Sequence, residues 1–311
     1  MCAGVLSRGF AMCSAPSPPD TAAPKRLNDL PGEIIAHIAT TLVVAPASLF
    51  AMSASNRSLL ALLVEEVPRL WEEAARLQLG PAAIDLVRQA TRAIDGPTPI
   101  GLSAYRSSLL LRQRVSDGFE VVCGSVAKNA TDMEVVACPC LGNLTNFGMG
   151  AQGVIREAAG PAFEAGLMDV AYLAPLTALL VPGGRLAPYV AMVVTTAPEE
   201  LHYMLWGREA ESAVSTISKR MHANLFAAMR AAGLRSVAMP TLGTGGQGYR
   251  AGCVCDGLAM AYAEDFRMHP HLPMRVRVAC YEVSHLLHAR AAKKRALDGL
   301  FEVMDSSPAY L

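Results

Sequence analysis

From residue 119 onward the chain alternates short apolar runs with longer stretches whose apolar positions recur every three or four residues. FEVVCG (119–124), MEVVAC (133–138), YVAMVV (189–194), SVAMP (236–240) and RVRVACY (275–281) are the short runs. Each is rich in valine or other strand formers and bounded by turn residues, so each predicts a strand. YVAMVV has no charged or strongly polar position, and its unbroken apolar run predicts a strand covered on both faces. Between the runs, residues 150–160 predict a helix stopped by Gly160. Residues 211–233 predict a long amphipathic helix with Val214, Ile217, Met221 and Leu225 on one face and Gly233 at its end. Residues 253–266 and 284–304 predict two further helices. Strands alternating with helices predict an α/β domain whose sheet carries helices on both sides.

The earlier part of the chain has a different rhythm. LNDLPGEIIAHIATTL opens with Asn28 or Asp29 as a helix cap and carries Pro31 in the first turn, with Glu33 beside the positive helix end. Ile34, Ile35, Ile38 and Leu42 follow as one stripe. Leu49 and Met52 mark a short second helix, and Leu59, Leu60, Leu63 and Val67 a third, with Leu70 and Trp71 closing the unit. Three helices this short are unstable alone and must pack on one another and on a further surface. Residues 78–118, broken near 95–101 by Gly96, Pro97 and Pro99, predict linking helices. Residues 1–26, with Pro16, Pro18, Pro19 and Pro24, predict a disordered leader, and residues 305–311 a tail.

Composition narrows the classes of function. The chain has 311 residues, 52% hydrophobic and 17% charged, with a formal net charge of zero. The electrostatic footprint of a nucleic-acid coat is missing, and no apolar stretch reaches the roughly 18 residues of a membrane span. No nucleic-acid or membrane partner is therefore expected. The pairs Cys138 and Cys140, Cys253 and Cys255, and His269 and His271 lack the two-residue gap of common zinc knuckles, and several fall inside apolar strands. No metal is expected.

The distinctive chemistry lies in MPTLGTGGQGYR (239–250). Gly243, Gly245 and Gly248 fall on the spacing G-x-G-x-x-G, between a strand and a helix. Glycines let backbone N–H groups converge on one point, and the helix end adds positive potential, so an anion such as phosphate is the natural guest. A dinucleotide dehydrogenase would place this loop in its first βαβ unit, with an acid about 20 residues on at the end of the next strand. Here only one strand follows, and the acid at its end, Glu282, is too distant.

The ordered set of segments resembles the macro domain, the ADP-ribose-binding module, over residues 119–304. GSVAKNATDMEVVACPC is similar to its opening strand, turn and second strand, and NFGMGAQGVIREAAG to its first glycine-rich loop and helix. VPGGRLAPYVAMVV, MPTLGTGGQGY and VRVACYE are similar to its central strand, second phosphate loop and last strand. The resemblance implies a three-layer α/β/α fold with a mixed sheet, no cofactor, and ADP-ribose as ligand. It implies that Gly243, Thr244, Gly245, Gly246, Gln247, Gly248 and Tyr249 wrap the diphosphate. Gly148, Met149, Gly150 and Ala151 would approach from the other side, near the distal ribose, and Tyr281 would stack on adenine. Gly124, Ser125 and Val126 would border the base.

Three positions depart from the family pattern. Ser125 stands where an Asp usually accepts a bond from the adenine amino group. Cys140 stands at the Asn that holds the distal ribose, with Asn143 and Asn146 as possible substitutes. Gln152 stands at an Asp and cannot take a proton as a general base. Binding is therefore expected rather than hydrolysis. The alternatives are a mono-ADP-ribosyl or O-acetyl-ADP-ribose hydrolase and a ligand-free protein-contact module.

Residues 27–77 resemble the F-box, through Leu30, Pro31, Glu33, Ile34, Ile38, Leu42, Leu49, Asn56, Leu70 and Trp71. The resemblance implies docking of Leu30, Pro31, Ile34, Ile38, Leu42 and Leu49 on the adaptor subunit of a cullin-type ubiquitin ligase. Together the two resemblances imply a receptor for ADP-ribose or ADP-ribosylated proteins in the cytoplasm or nucleus.

Overall fold

A computed structural model describes residues 68–94, 96–97, 101–144, 150–197, 199 and 210–301. The helices expected over residues 27–67 lie outside the described residues, with Leu30, Pro31, Ile34, Ile38, Leu42 and Leu49. So do the leader and the tail.

Among the described residues, three helices precede the sheet: α1 (Pro68–Leu79), α2 (Ala83–Arg92) and α3 (Gly101–Gly118). Trp71 sits buried inside α1, with its ring 5.5 Å from that of Tyr105 on α3. There follow β1 (Phe119–Cys123), β2 (Val135–Cys140), α4 (Gly150–Ala159), α5 (Pro161–Ala165), β3 (Ala178–Pro182) and β4 (Tyr189–Val194). The chain continues through α6 (Ala210–Ala231), β5 (Ser236–Pro240), α7 (Ala251–Met268), β6 (Arg275–Cys280) and α8 (Val283–Phe301).

The sheet is mixed, in the order β1-β6-β5-β2-β4-β3. All neighbours are parallel except β3, which runs antiparallel to β4 at one edge. The sequence reading lacks β3. Its segment, ALLVP, is half-buried, shows no alternation and runs straight into Gly183 and Gly184, so no local pattern separates it from a loop.

Both faces of the central strands are buried, as their apolar runs require. Along β2, Val135 and Ala137 join one core with α6 and α7, whereas Val136, Cys138 and Cys140 join the other with α4 and α5. The expected face of α6 (Val214, Ile217, Met221, Leu225) is buried in the first core. Close approach of α6 and α7 depends on Gly257, where a Cβ would stand 2.5 Å from the Ser215 carbonyl oxygen.

Residues 78–118 are not a free link. Leu79, Leu86, Val87, Leu111 and Val115 belong to the same core as the sheet, and the Tyr262 hydroxyl donates to the Val115 carbonyl at 3.2 Å. At the amino end of the sheet, Arg275 and Arg277 of β6 pair with Glu120 of β1 and with Asp132. Glu134 accepts from the amides of Arg235 and Ser236, both at 2.8 Å. The opposite, carboxyl end carries the loops that form the site.

Candidate functional site

Open α/β sheets bind ligands in a crevice beyond the carboxyl ends of their parallel strands. Here that crevice is a cleft of about 600 Å³, bordered by the residues that follow β1, β2, β5 and β6. A volume in this range suits a small organic ligand.

The second glycine-rich loop forms one wall. Gly243, Thr244, Gly245, Gly246 and Gln247 line the cleft. The loop is built from two kinds of glycine. Gly243 adopts φ +81°, and a Cβ there would meet the Tyr249 ring at 2.6 Å, so the turn itself demands glycine. Gly245 and Gly246 need no left-handed backbone, and a Cβ on either would meet nothing within 4 Å. Neither the turn nor crowding explains those two glycines. What they keep clear is the space of the cleft.

The amides of this loop reinforce the point. Gly248 donates to the Gly245 carbonyl at 2.9 Å and Tyr249 to the Gly243 carbonyl at 3.1 Å, which closes the loop on itself. Among the described residues, the amides of Gly245, Gly246 and Gln247 donate to no backbone carbonyl. Three successive amides with no internal partner form a concavity suited to an anion.

Gly248 and Tyr249 were expected around the diphosphate, but neither lines the cleft. Tyr249 is buried beneath the loop, and its hydroxyl donates to the Thr195 carbonyl at 3.1 Å. Burial raises its phenol pKa, so it remains a donor. Its aromatic bulk fills the space under Gly243, which is why it supports the loop instead of reaching the cleft.

Across the cleft, Gly150, Ala151 and Gln152 open α4, and its positive end faces the space. Gly148 and Met149 lie outside the described residues. After β1, Gly124 takes φ +113° and donates to the Cys280 carbonyl at 2.9 Å, which places Ser125 and Val126 on the rim. Asn129 holds this turn by donating to the Ser125 carbonyl at 2.9 Å. Tyr281 lines the cleft where β6 ends and is 86% exposed, so its ring is not a core aromatic.

Cys140 lines the cleft from the end of β2, yet it is 2% exposed, and burial pushes its thiol up to about 12. It is a protonated, packed thiol rather than a nucleophile. Asn143 is exposed and does not border the cleft, and Asn146 lies outside the described residues. Among the described residues, no group of three or more His, Cys, Asp or Glu is arranged to hold a metal ion.

Sequence reasoning missed a polar cluster on the wall between Tyr281 and the glycine loop. Thr241 Oγ1 lies 2.9 Å from His285 Nδ1 and 3.0 Å from Thr244 Oγ1. His285 Nε2 lies 3.7 Å from Glu282 Oε2. Thr241 and His285 are separated by 44 positions, and no local pattern announces their contact. The only hint was a strand-end acid followed by a helix.

Fold and site together define an α/β/α domain with an anion-sized backbone cradle at the carboxyl end of its sheet. Residues 129–256 match the family model of the macro domain. No curated protein matches the sequence. Among solved structures, the chain is similar to the Oceanobacillus iheyensis macrodomain with ADP, at 17% identity over 58% of this chain and 91% of that one, with a TM-score of 0.44. It is also similar to the Trypanosoma brucei macrodomain in complex with ADP, at 15% identity over 55% and 67%, with a TM-score of 0.47. A third is the macro domain of ganglioside induced differentiation associated protein 2, at 16% identity over 63% and 88%, with a TM-score of 0.46.

Proposed function

We propose that this cleft binds ADP-ribose, free or attached to protein, without hydrolysing it. Macro domains bind ADP-ribose as a ligand and need no cofactor. The observation that carries the reading here is the run of unengaged amides at residues 245–247, facing space that Gly245 and Gly246 leave clear. Such a run offers a diphosphate several converging donors without a cationic side chain. The exposed Tyr281 supplies a flat face for a base.

The absence of a carboxylate at Gln152, together with the protonated Cys140, supports binding over turnover, because neither group can deprotonate a water near neutral pH. Titration of the protein with ADP-ribose against ADP, AMP and NAD tests the reading. ADP-ribose should bind tightest, and no ADP-ribose should be released from a mono-ADP-ribosylated protein. Equal affinity for AMP and ADP-ribose, or turnover, would refute it.

The F-box resemblance of residues 27–77 supports a second element of the proposal: the receptor is coupled to a cullin-type ubiquitin ligase through its adaptor. Copurification of the adaptor with the full chain, lost on Leu30→Asp with Ile34→Asp, tests this part independently of the cleft.

A further inference from the structure

We propose that Glu282 accepts hydrogen bonds from the hydroxyl pair of the ribose next to the base, and that its charge selects against a nucleotide phosphorylated on that ribose. The inference rests on reading the cleft as an ADP-ribose site.

Tyr281 and Glu282 leave β6 in succession, and both border the cleft. From there a continuous chain of contacts runs along the wall. Glu282 Oε2 accepts from Ser284 Oγ at 3.3 Å and lies 3.7 Å from His285 Nε2. His285 Nδ1 lies 2.9 Å from Thr241 Oγ1, and Thr241 begins the glycine loop. With the base on Tyr281 and the diphosphate at residues 245–247, the sugar joining them must pass this wall.

Glu282 is the one acid among the described residues that line the cleft. Its Oε1 meets no donor among the described residues, while its Oε2 is engaged. An ionised carboxylate only accepts hydrogen bonds, so it matches a pair of sugar hydroxyls, each of which can donate. A phosphate in place of one hydroxyl sets two negative charges side by side. The same physics lets an acid at a strand end choose a free ribose hydroxyl over a phosphorylated one in dinucleotide sites. The Glu282 side chain is 64% exposed, so water and salt screen the repulsion and the selectivity is moderate.

The test is calorimetric titration of wild type and Glu282→Gln with ADP-ribose and with 2′-phospho-ADP-ribose, at low and high salt. Wild type should prefer ADP-ribose by about fivefold at low salt, the effect of one exposed charge pair. In Glu282→Gln, which keeps the shape and removes the charge, the preference should fall to about unity. Wild-type preference should also shrink with added salt. A ratio unchanged in the variant, or equal affinities in wild type, would overturn this inference alone. Failure of wild type to bind ADP-ribose at all would overturn the underlying reading as well.

Discussion

The Tyr249 ring occupies the space that a side chain on Gly243 would need, with a Cβ there only 2.6 Å from Tyr249 Cδ2. The same two residues are joined by a hydrogen bond from the Tyr249 amide to the Gly243 carbonyl at 3.1 Å. Through its hydroxyl, Tyr249 also ties the loop to Thr195, just beyond β4. The loop's shape is therefore held from below, and the amides of its upper part are left for a guest.

Substitutions in this loop should separate into two classes. Gly243→Ala combines a left-handed backbone with a steric clash and should destabilise the fold by about 1–3 kcal/mol. Gly245→Glu should leave the melting temperature close to wild type, because its side chain enters open space. It should weaken ADP-ribose binding more than about tenfold by filling the cleft with a like charge. Thermal melts paired with calorimetry check both. Wild-type affinity in Gly245→Glu would show that the cradle is unused.

Tyr281→Ala should act on binding alone. The ring is 86% exposed and contributes little to the core, so stability should hold. Loss of a stacking face is worth about 1–3 kcal/mol per base, so affinity for ADP-ribose should drop roughly tenfold or more. Affinity for ribose 5-phosphate, which has no base, should be unchanged by the same substitution.

Stability should fall as the solution becomes mildly acidic. His222 is buried on α6, and its ring pKa is lowered to about 4, chiefly by desolvation, against a hydrogen bond with the Ser218 carbonyl that raises it. An unfolded chain takes up the proton near pH 6.5, whereas the folded one resists until about pH 4. The unfolded state therefore binds more protons across that window, and folding stability declines as pH drops through it. Between about pH 7 and about pH 5 the loss from this one group is about 2 kcal/mol. Urea midpoints at the two pH values should show it, and His222→Gln should flatten the dependence.

The pair Arg230 and Asp265 clamps α6 to α7, with contacts of 2.6 and 3.1 Å and side chains 15% and 7% exposed. Asp265→Ala would strand a largely buried guanidinium and should cost about 3 kcal/mol in denaturant unfolding. The double variant Asp265→Leu with Arg230→Met, which removes both charges, should recover most of that loss. Equal destabilisation by the single and double variants would show that packing, not charge, dominates this contact.

Much of this architecture was readable in the chain. The five valine-rich runs correspond to β1, β2, β4, β5 and β6, and Gly160 and Gly233 stand just beyond α4 and α6 with positive φ. The two glycine-rich turns were visible as well, and residues on either side of the cleft could be named from them. These features are legible because strand alternation, helical stripes and glycine turns are local, set by neighbours a few positions apart.

Tertiary structure alone decided the rest. Which strand pairs with which depends on contacts between distant segments, so the sequence could not reveal that β1 lies at an edge beside β6 or that ALLVP closes the other edge antiparallel to β4. It could not tell that Tyr249 turns inward as a support, because the space under Gly243 exists only once the loop is closed. Nor could it bring Thr241 to His285 and His285 to Glu282, since that wall forms only where the end of β5 meets the start of α8. Local pattern set the pieces and their turns, while long-range packing of the sheet set which polar groups face one another across the cleft.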